Sequence, residues 1–313
     1  MKINKLFQRA DKRKYKIGLA FGGGGTKGFA HLGALKAFEE NGIVFDEVAG
    51  TSVGSMVASL YAFGLSSDEM LKYAKQIKAS DIRNSKLFFV PSKTDGLENF
   101  LKCVIGDAHF EDMKKPLTVV AVDVKSGKEV HITKGSVIKA VAGSCAVPGI
   151  FNSVPFGEYL LADGGLQNTI PADVLRNSGC KYVVSIDVNP TRGYGTDSTK
   201  LVDILLASMR IMMKSNAIKG KIYSDIVIEA DTSKYKSTKL DGAEEMYKAC
   251  YEQALKMIPK IKELISEKKE KKKFSFFGLF KRNKKNIQIR LLDVAKWVFK
   301  EVKSYLLKRM KMV

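Results

Sequence analysis

From residue 17 onward the chain alternates short apolar runs with amphipathic stretches, and no other feature constrains its fold as strongly. Short apolar runs predict strands, and the amphipathic stretches between them predict helices. Such alternation is typical of an α/β domain with a mostly parallel sheet. The predicted strands span residues 17–21, 46–49, 117–124, 129–133, 159–162, 181–187 and 225–230. The predicted helices span residues 28–41, 53–63, 67–79, 96–104, 136–142, 171–178, 201–219 and 242–267.

Four consecutive glycines, residues 22–25, separate the first predicted strand from the first predicted helix. Gly23, Gly25 and Gly28 match the G-x-G-x-x-G spacing of dinucleotide-binding loops, and Asp46 stands where such loops are followed by a ribose-binding acid. The same loop could instead offer its backbone amides to the oxyanion of an ester under attack. Taken alone, the loop supports both interpretations equally. A P-loop is disfavoured because the closing Lys-Ser/Thr pair is absent.

The segment GTSVG, residues 50–54, favours the second interpretation. It follows a short predicted strand and precedes an apolar predicted helix, which is the setting of a nucleophile elbow with Ser52 at its apex. Gly50 and Gly54 suit so tight a turn, because a side chain at either position would collide with the neighbouring strand or helix. A simple helix cap by Thr51 or Ser52 is the competing structural explanation.

A serine nucleophile needs a base, and the histidines of this chain are poorly placed for that role. In the common α/β-hydrolase order the histidine follows both the serine and the acid, yet His31, His109 and His131 all precede the acid candidate, Asp163. Asp163 ends an apolar predicted strand and is followed by two glycines. Active-site residues of α/β sheets collect at such strand ends, although Asp-Gly is also a common turn pair.

These motifs together resemble the patatin-like phospholipase family over roughly residues 17–265. GGGTKG at residues 23–28, GTSVG at residues 50–54 and DGG further along the chain follow one another in the family's order. SCAVPGIFNSV at residues 144–154 resembles the family's Ser-x-Ala-x-Pro-x-x-Phe segment. The resemblance implies a three-layer α/β/α fold with a mostly parallel central sheet.

The resemblance also implies a Ser-Asp dyad that works without histidine. Ser52 matches the family's nucleophile and Asp163 its general base. The backbone amides of the oxyanion hole would then belong to Gly23, Gly24 and Gly25.

Six further residues match the motifs without a direct chemical role. Lys27 takes the family's basic position, where arginine is commoner, and keeps the charge without the planar guanidinium. We expect Lys27 to order the loop or to attract an anionic headgroup. The remaining motif residues are Gly28, Gly50, Gly54, Gly164 and Gly165.

The expected function is that of a serine lipid acyl hydrolase of the phospholipase A or lysophospholipase type, cleaving carboxylic esters of phospholipids or lysophospholipids through an acyl-enzyme. No metal and no cofactor are expected. An acyltransferase or a non-hydrolytic membrane scaffold on the same fold is the alternative. A dinucleotide-binding protein is a distant third.

The formal net charge of +20 is concentrated at the two ends of the chain. Residues 1–16 carry seven Lys/Arg and one acid, residues 266–313 carry sixteen Lys/Arg and four acids, and the residues between them are nearly neutral. We therefore predict a basic N-terminal arm at 1–16, a catalytic domain at 17–265 and a basic C-terminal extension at 266–313. Charged ends of this kind favour an anionic surface as partner.

The C-terminal extension combines a polybasic, phenylalanine-rich run at 266–285 with an amphipathic helix predicted at 287–312. It is expected to bind an anionic membrane surface, although the helix could instead fold back over the enzyme domain. No nucleic-acid motif is present, and no apolar run is long enough to cross a bilayer. Dispersed cysteines and the lack of a recognisable signal peptide favour a cytoplasmic protein that associates peripherally with membranes.

Overall fold

The computed structural model describes residues 15–76, 92–189, 198–232 and 242–266. The basic arm up to residue 14 and the extension from residue 267 lie outside the described residues, so the expectations for them stay predictions. Within the described residues the strands are β1 (Ile17–Phe21), β2 (Glu47–Thr51), β3 (Leu117–Asp123), β4 (Lys128–Ile132), β5 (Val154–Phe156), β6 (Tyr159–Asp163), β7 (Tyr182–Asp187) and β8 (Ile226–Glu229).

The helices follow the predicted segments closely. They are α1 (Gly28–Glu40), α2 (Val53–Phe63), α3 (Ser67–Ala74), α4 (Asp95–Ile105), α5 (Val137–Ser144), α6 (Ala172–Asn177), α7 (Leu201–Tyr223) and α8 (Ala243–Ser266). The part of the chain that the structure describes also has short 3-10 turns at Gly25–Lys27, Phe110–Asp112 and Gly164–Leu166.

All eight strands belong to one sheet whose centre is parallel. The parallel pairs are β1 with β2, β1 with β7, β2 with β3 and β7 with β8. The antiparallel pairs are β3 with β4, β3 with β6 and β5 with β6. The predicted fold class, α/β with a mostly parallel sheet, is confirmed.

Helices cover both faces of the sheet, because successive strand residues point to opposite sides. Leu19 and Phe21 of β1 pack into the larger core, which α1, α2 and α8 complete. Ala20 points the other way, into a smaller core formed with α6 and α7. The two cores flank a single sheet, so the molecule has the three α/β/α layers that the resemblance implied.

β3 aligns the ends of two strands that are far apart in sequence. Val120 pairs with Thr51 of β2 on one side and with His131 of β4 on the other. Ala121 pairs with Asp163 of β6 and again with β4. Because β4 occupies one side of β3 throughout, β2 and β6 share the other side and run toward each other. Their carboxyl ends therefore meet at the middle of β3.

No helix among the described residues is both long enough and apolar enough to span a membrane.

Candidate active site

Ser52 stands at the sharp turn between β2 and α2, with φ 53° and ψ −131°. It is the only non-glycine residue with a positive φ in the described part of the chain. A Cβ on Gly50 would overlap the carbonyl of Gly54, and a Cβ on Gly54 would overlap the carbonyl of Phe21. Glycine is therefore required on both sides of Ser52, and the positive φ of Ser52 is a strained conformation of the kind that clusters at functional sites.

Ser144 holds this strained backbone in place. The Ser52 amide donates to Ser144 Oγ at 2.8 Å, and Ser144 Oγ donates to the Val120 carbonyl at 2.6 Å. Ser144 is fully buried at the end of α5. The sequence patterns assign Ser144 no role, and the only signal for it is its position as the first residue of the SCAVPGIFNSV motif.

Asp163 is the last residue of β6 and is 1% exposed. The Gly165 amide donates to its Oδ1 at 2.8 Å, whereas its Oδ2 has no hydrogen-bond partner among the described residues. Burial raises the pKa of Asp163 to about 6. Hydrogen bonds from the Ser52 hydroxyl and the Gly165 amide act in the opposite direction and lower the pKa in part. The structure therefore brings Ser52 and Asp163 together, with one carboxylate oxygen still available.

The turn that carries Ser52 is tied to the loop after Asp163. Thr51 Oγ1 donates to the Asn168 carbonyl at 2.8 Å, and the Asn168 amide donates to the Gly164 carbonyl at 2.9 Å. A Cβ on Gly164 would overlap the carbonyl of Val120, so glycine lets this loop pack against β3. These contacts limit relative movement of the serine and the aspartate.

Cys145 also lies in the site, next to the Ser52 and Ser55 hydroxyls. Burial raises the pKa of the Cys145 thiol, and the Asp163 carboxylate raises it further. The thiol is therefore protonated at neutral pH, and Ser52 is the better placed nucleophile.

The glycine loop between β1 and α1 lies directly against Ser52. A Cβ on Gly23 would come within 3.4 Å of Ser52 Cβ. The Gly23 amide, however, donates to the Thr169 carbonyl at 3.0 Å, so it is already occupied. This corrects the expectation of an oxyanion donor at Gly23. The Gly24 and Gly25 amides donate no hydrogen bond within the described residues, and Gly25 has φ 61°.

Two side chains fix the shape of this loop. His31 Nε2 donates to the Gly22 carbonyl at 2.8 Å, and Asn189 Nδ2 donates to the Gly23 carbonyl at 2.5 Å. Burial lowers the pKa of His31 to about 4, against which its bond to Gly22 acts only weakly. His31 is therefore a neutral structural donor at neutral pH.

The other two histidines have different surroundings. His131 Nε2 lies 2.6 Å from Glu129 on β4, and His109 precedes the 3-10 turn at Phe110–Asp112. Glu129 in turn accepts from Asn168, whose carbonyl accepts from Thr51, so His131 reaches the site only through these intermediate residues.

Lys27 ends the 3-10 turn at Gly25–Lys27 and is 8% exposed. Burial lowers the pKa of Lys27, and the positive charge of Arg210 lowers it further. The negative charges of Asp187 and Asp231 act in the opposite direction. Gly28 follows at the start of α1, where a Cβ would come within 2.5 Å of a methyl group of Val53. The glycine motif therefore packs directly against the helix that follows Ser52.

Asp46 lies at the wrong end of the sheet for a dinucleotide site. The Ile17 amide donates to Asp46 Oδ2 at 2.7 Å, which places Asp46 beside the first residue of β1. The glycine loop follows the last residue of β1, about 15 Å away at the usual rise of a strand. Asp46 therefore cannot hold the ribose of a nucleotide bound at the loop.

The patatin-like phospholipase family model matches residues 19–176. An uncharacterised NTE family protein of Mycobacterium tuberculosis is 30% identical over 186 residues, covering 57% of this chain and 32% of the relative. Neuropathy target esterase sws of Drosophila melanogaster is 32% identical over 185 residues, covering 55% of this chain and 13% of the relative. The mouse patatin-like phospholipase domain-containing protein 6 is 35% identical over 182 residues, covering 55% of this chain and 13% of the relative. The chain thus spans a third or less of the length of these relatives.

Two solved structures are similar at lower identity. VipD from Legionella pneumophila has a TM-score of 0.48 and 14% identity, covering 79% of this chain and 67% of VipD. Full-length ExoU, in complex with SpcU from the type III secretion system of Pseudomonas aeruginosa, has a TM-score of 0.44 and 15% identity, covering 79% of this chain and 53% of ExoU.

Proposed function

The chain belongs to the patatin-like phospholipase family, and from that premise we propose that it is a serine lipid acyl hydrolase. Its substrates are carboxylic esters of membrane phospholipids or lysophospholipids. The observation that carries the proposal is the meeting of Ser52, on its strained turn, with the buried carboxylate of Asp163. In this proposal Ser52 is the nucleophile and Asp163 the general base.

The first step is proton transfer from the Ser52 hydroxyl to Asp163. A pKa of about 6 leaves Asp163 ionised at neutral pH and makes it a stronger base than an exposed aspartate. Ser52 Oγ then attacks the ester carbonyl and forms a tetrahedral intermediate. The turn lies at the N-terminus of α2, where the helix dipole favours developing negative charge.

The oxyanion of that intermediate is stabilised by backbone amides of the glycine loop. We assign this role to Gly24 and Gly25, since their amides donate no other hydrogen bond within the described residues. Gly23 instead anchors the loop through Thr169. Loss of one such donor typically lowers the rate about a hundredfold to a thousandfold.

Collapse of the intermediate breaks the ester bond. Protonated Asp163 gives its proton to the departing alcohol, and the acyl group stays on Ser52. A water molecule then gives a proton to Asp163 and attacks the acyl-enzyme. The fatty acid is released when the proton returns to Ser52.

Residues 266–313 supply the membrane attachment in this proposal. Their sixteen Lys/Arg residues and interspersed aromatic side chains suit an anionic lipid surface, where each basic residue adds about 1 kcal/mol. Lys27, next to the glycine loop, orders that loop or attracts an anionic headgroup. No nucleic acid is part of the proposal.

Product analysis by mass spectrometry with mixed phospholipids and lysophospholipids tests the activity. Ser52→Ala and Asp163→Asn should each abolish fatty acid release. Ser59→Ala is the matched control, because Ser59 is also buried on α2 but donates to the Met56 carbonyl instead. Activity that survives in Ser52→Ala or Asp163→Asn would refute the dyad.

A fluorophosphonate probe separates the hydrolase from its alternatives. The probe should label the parent chain and leave Ser52→Ala unlabelled. Labelling with acyl transfer to an added alcohol but little release of fatty acid would identify an acyltransferase. Labelling without any turnover of lipid would leave a scaffold on the same fold.

A further inference from the structure

α7 carries an unusual amount of exposed apolar surface. Nine large apolar side chains in the described residues are exposed, and seven of them belong to this one helix. The other two, Val124 and Leu255, are isolated on β3–β4 and α8. The seven are Ile204, Leu205, Ile211, Met212, Ile218, Ile222 and Tyr223.

These seven residues form one face of the helix, here called the outer α7 face. At 100° per residue they fall within an arc of roughly 140°. Ser208, Ser215 and Lys219 are the polar residues on the same arc. Scattered single apolar side chains are normal on a protein surface, whereas a contiguous set of this kind marks an interaction site.

The opposite side of α7 contacts the loop that follows Asp163. A Cβ on Gly165 would overlap the Met213 side chain, and Thr169 Oγ1 donates to the Met213 carbonyl at 2.7 Å. Asn216 Nδ2 donates to the Leu166 carbonyl at 2.7 Å. A helix is about 10 Å thick, so the outer face lies within that distance of the loop that positions the proposed base.

Charge favours a negatively charged partner. α7 contains four basic residues and one acid, and the chain as a whole carries a net charge of +20. Lys219 and Lys221 make ion pairs with Asp173 and Asp187 at 2.6 and 2.7 Å, so part of this charge is neutralised within the molecule. The positive charge that suits the anionic surface of a bilayer lies mainly in residues 1–16 and 266–313, which together carry 23 Lys/Arg and five acids.

We propose that the outer α7 face docks on the surface of a lipid bilayer. The inference rests on the proposed function, because a membrane lipid can enter the site only if a neighbouring surface of the enzyme meets the bilayer. The isoleucines, leucine and methionine enter the headgroup region, and the Tyr223 hydroxyl stays near the phosphates. The residues of the outer α7 face belong to a different segment of the sequence from residues 266–313.

Vesicle sedimentation of the full chain tests the docking surface. Vesicles of equal parts phosphatidylcholine and phosphatidylglycerol serve as the probe. Ile211→Asp combined with Ile218→Asp should weaken binding at least about tenfold, because two apolar contacts are lost and two negative charges face the anionic surface. Leu255→Asp is the matched control: it makes the same change at an exposed residue of α8, across the sheet, and should bind as the parent does.

A second pair, Leu205→Asp with Ile222→Asp, tests the same face if the first pair fails to fold. Binding equal to the parent in a folded variant, shown by circular dichroism, would overturn the proposal. So would a parent that elutes as a dimer while the variants elute as monomers, because a second copy would then cover the face.

Hydrolysis of a soluble short-chain ester, measured in the same samples, separates the two proposals. If the parent cleaves neither this ester nor lipid, the proposed function fails, whatever the vesicles show. If every variant cleaves the soluble ester like the parent and the Ile211→Asp/Ile218→Asp pair also binds vesicles normally, only the docking proposal fails. Normal cleavage of the soluble ester with weakened vesicle binding supports both.

Discussion

Asp163 combines a pKa of about 6 with almost complete burial, and this sets the pH range of the proposed reaction. Only the ionised carboxylate can accept the Ser52 proton. We therefore expect kcat/KM for a soluble ester to fall about tenfold for each pH unit below about 6. A pH–rate profile of the purified chain measures this. A rate that stays level from pH 7 to pH 4 would exclude Asp163 as the base.

The same burial predicts a stability gain in Asp163→Asn. The folded-state pKa of Asp163 lies above its ordinary value of 3.8, so folding favours the protonated acid. Its contribution to stability is full below about pH 4 and is lost as the pH rises through 6. Two pKa units correspond to about 3 kcal/mol. Asp163→Asn should therefore be more stable than the parent by up to about 3 kcal/mol at pH 8.

Urea unfolding of both proteins at several pH values tests this difference. The gain should disappear at pH 4, where the parent carboxyl is already protonated. A gain of equal size at both pH values would assign the effect to packing instead of to charge.

Ser144 is predicted to act through the backbone of Ser52. Ser144→Ala removes the acceptor of the Ser52 amide and leaves the Val120 carbonyl without its donor. A shift of the nucleophile by about 1 Å can lower kcat about a hundredfold with little change in KM. Steady-state kinetics measure both constants, with Ser59→Ala as the control and Ser144→Thr as the variant that keeps a hydroxyl. An unchanged kcat with lower stability would leave Ser144 a purely structural role.

Among the elements, the strands and helices that surround the site were the most predictable. Seven of the eight strands coincide with predicted ones to within a few residues. The sequence does not predict β5, because this strand has three residues, one of them Pro155, and so shows no period. The sequence predicts that α7 stops at residue 219, before Gly220, but this helix continues to Tyr223. A Cβ on Gly220 would overlap the Ile170 carbonyl. Glycine at this position therefore lets α7 pack closely against Ile170 and does not end the helix.

The sequence predicts those residues of the candidate site that lie within a short motif. It does not predict residues whose role depends on a contact with a distant part of the chain. Ser52 and Asp163 stand out within GTSVG and DGG. The hydrogen bond from Ser52 to Ser144 spans 92 residues, and no local pattern contains it. Likewise, the occupied amide of Gly23 depends on Thr169, which lies in a different part of the chain.

α1 and α8 pack closely at Gly33. A Cβ at this position would overlap the carbonyl oxygen of Tyr247 on α8, and backbone cannot move aside as a side chain can. Alanine would normally gain about 1 kcal/mol over glycine inside a helix. We nevertheless expect Gly33→Ala to destabilise the protein by about 2 kcal/mol through overpacking. Urea unfolding, with Ser208→Ala on the exposed side of α7 as a control, measures the effect; a net gain would contradict the close contact.

At the scale of the whole molecule, the net charge and the exposed apolar face belong to different segments of the sequence. Residues 17–265 hold 30 basic and 28 acidic side chains, whereas the ends of the chain carry nearly all of the net charge. The proposed contact at the outer α7 face is mainly apolar. Salt screens exposed charges over a Debye length of about 8 Å at physiological ionic strength but does not weaken apolar burial. The two proposed membrane contacts should therefore respond differently to salt.

Truncation after Ser266 should remove the salt-sensitive part of vesicle binding and leave α8 complete. The full chain should bind anionic vesicles at least about tenfold more tightly than the truncated chain at low salt, since sixteen basic residues are lost. At high salt the two should converge on a weaker affinity that Ile211→Asp with Ile218→Asp lowers further. Sedimentation with anionic and neutral vesicles measures all four conditions. Equal binding by both chains at low salt would exclude residues 267–313 as the anchor and leave α7 as the remaining contact.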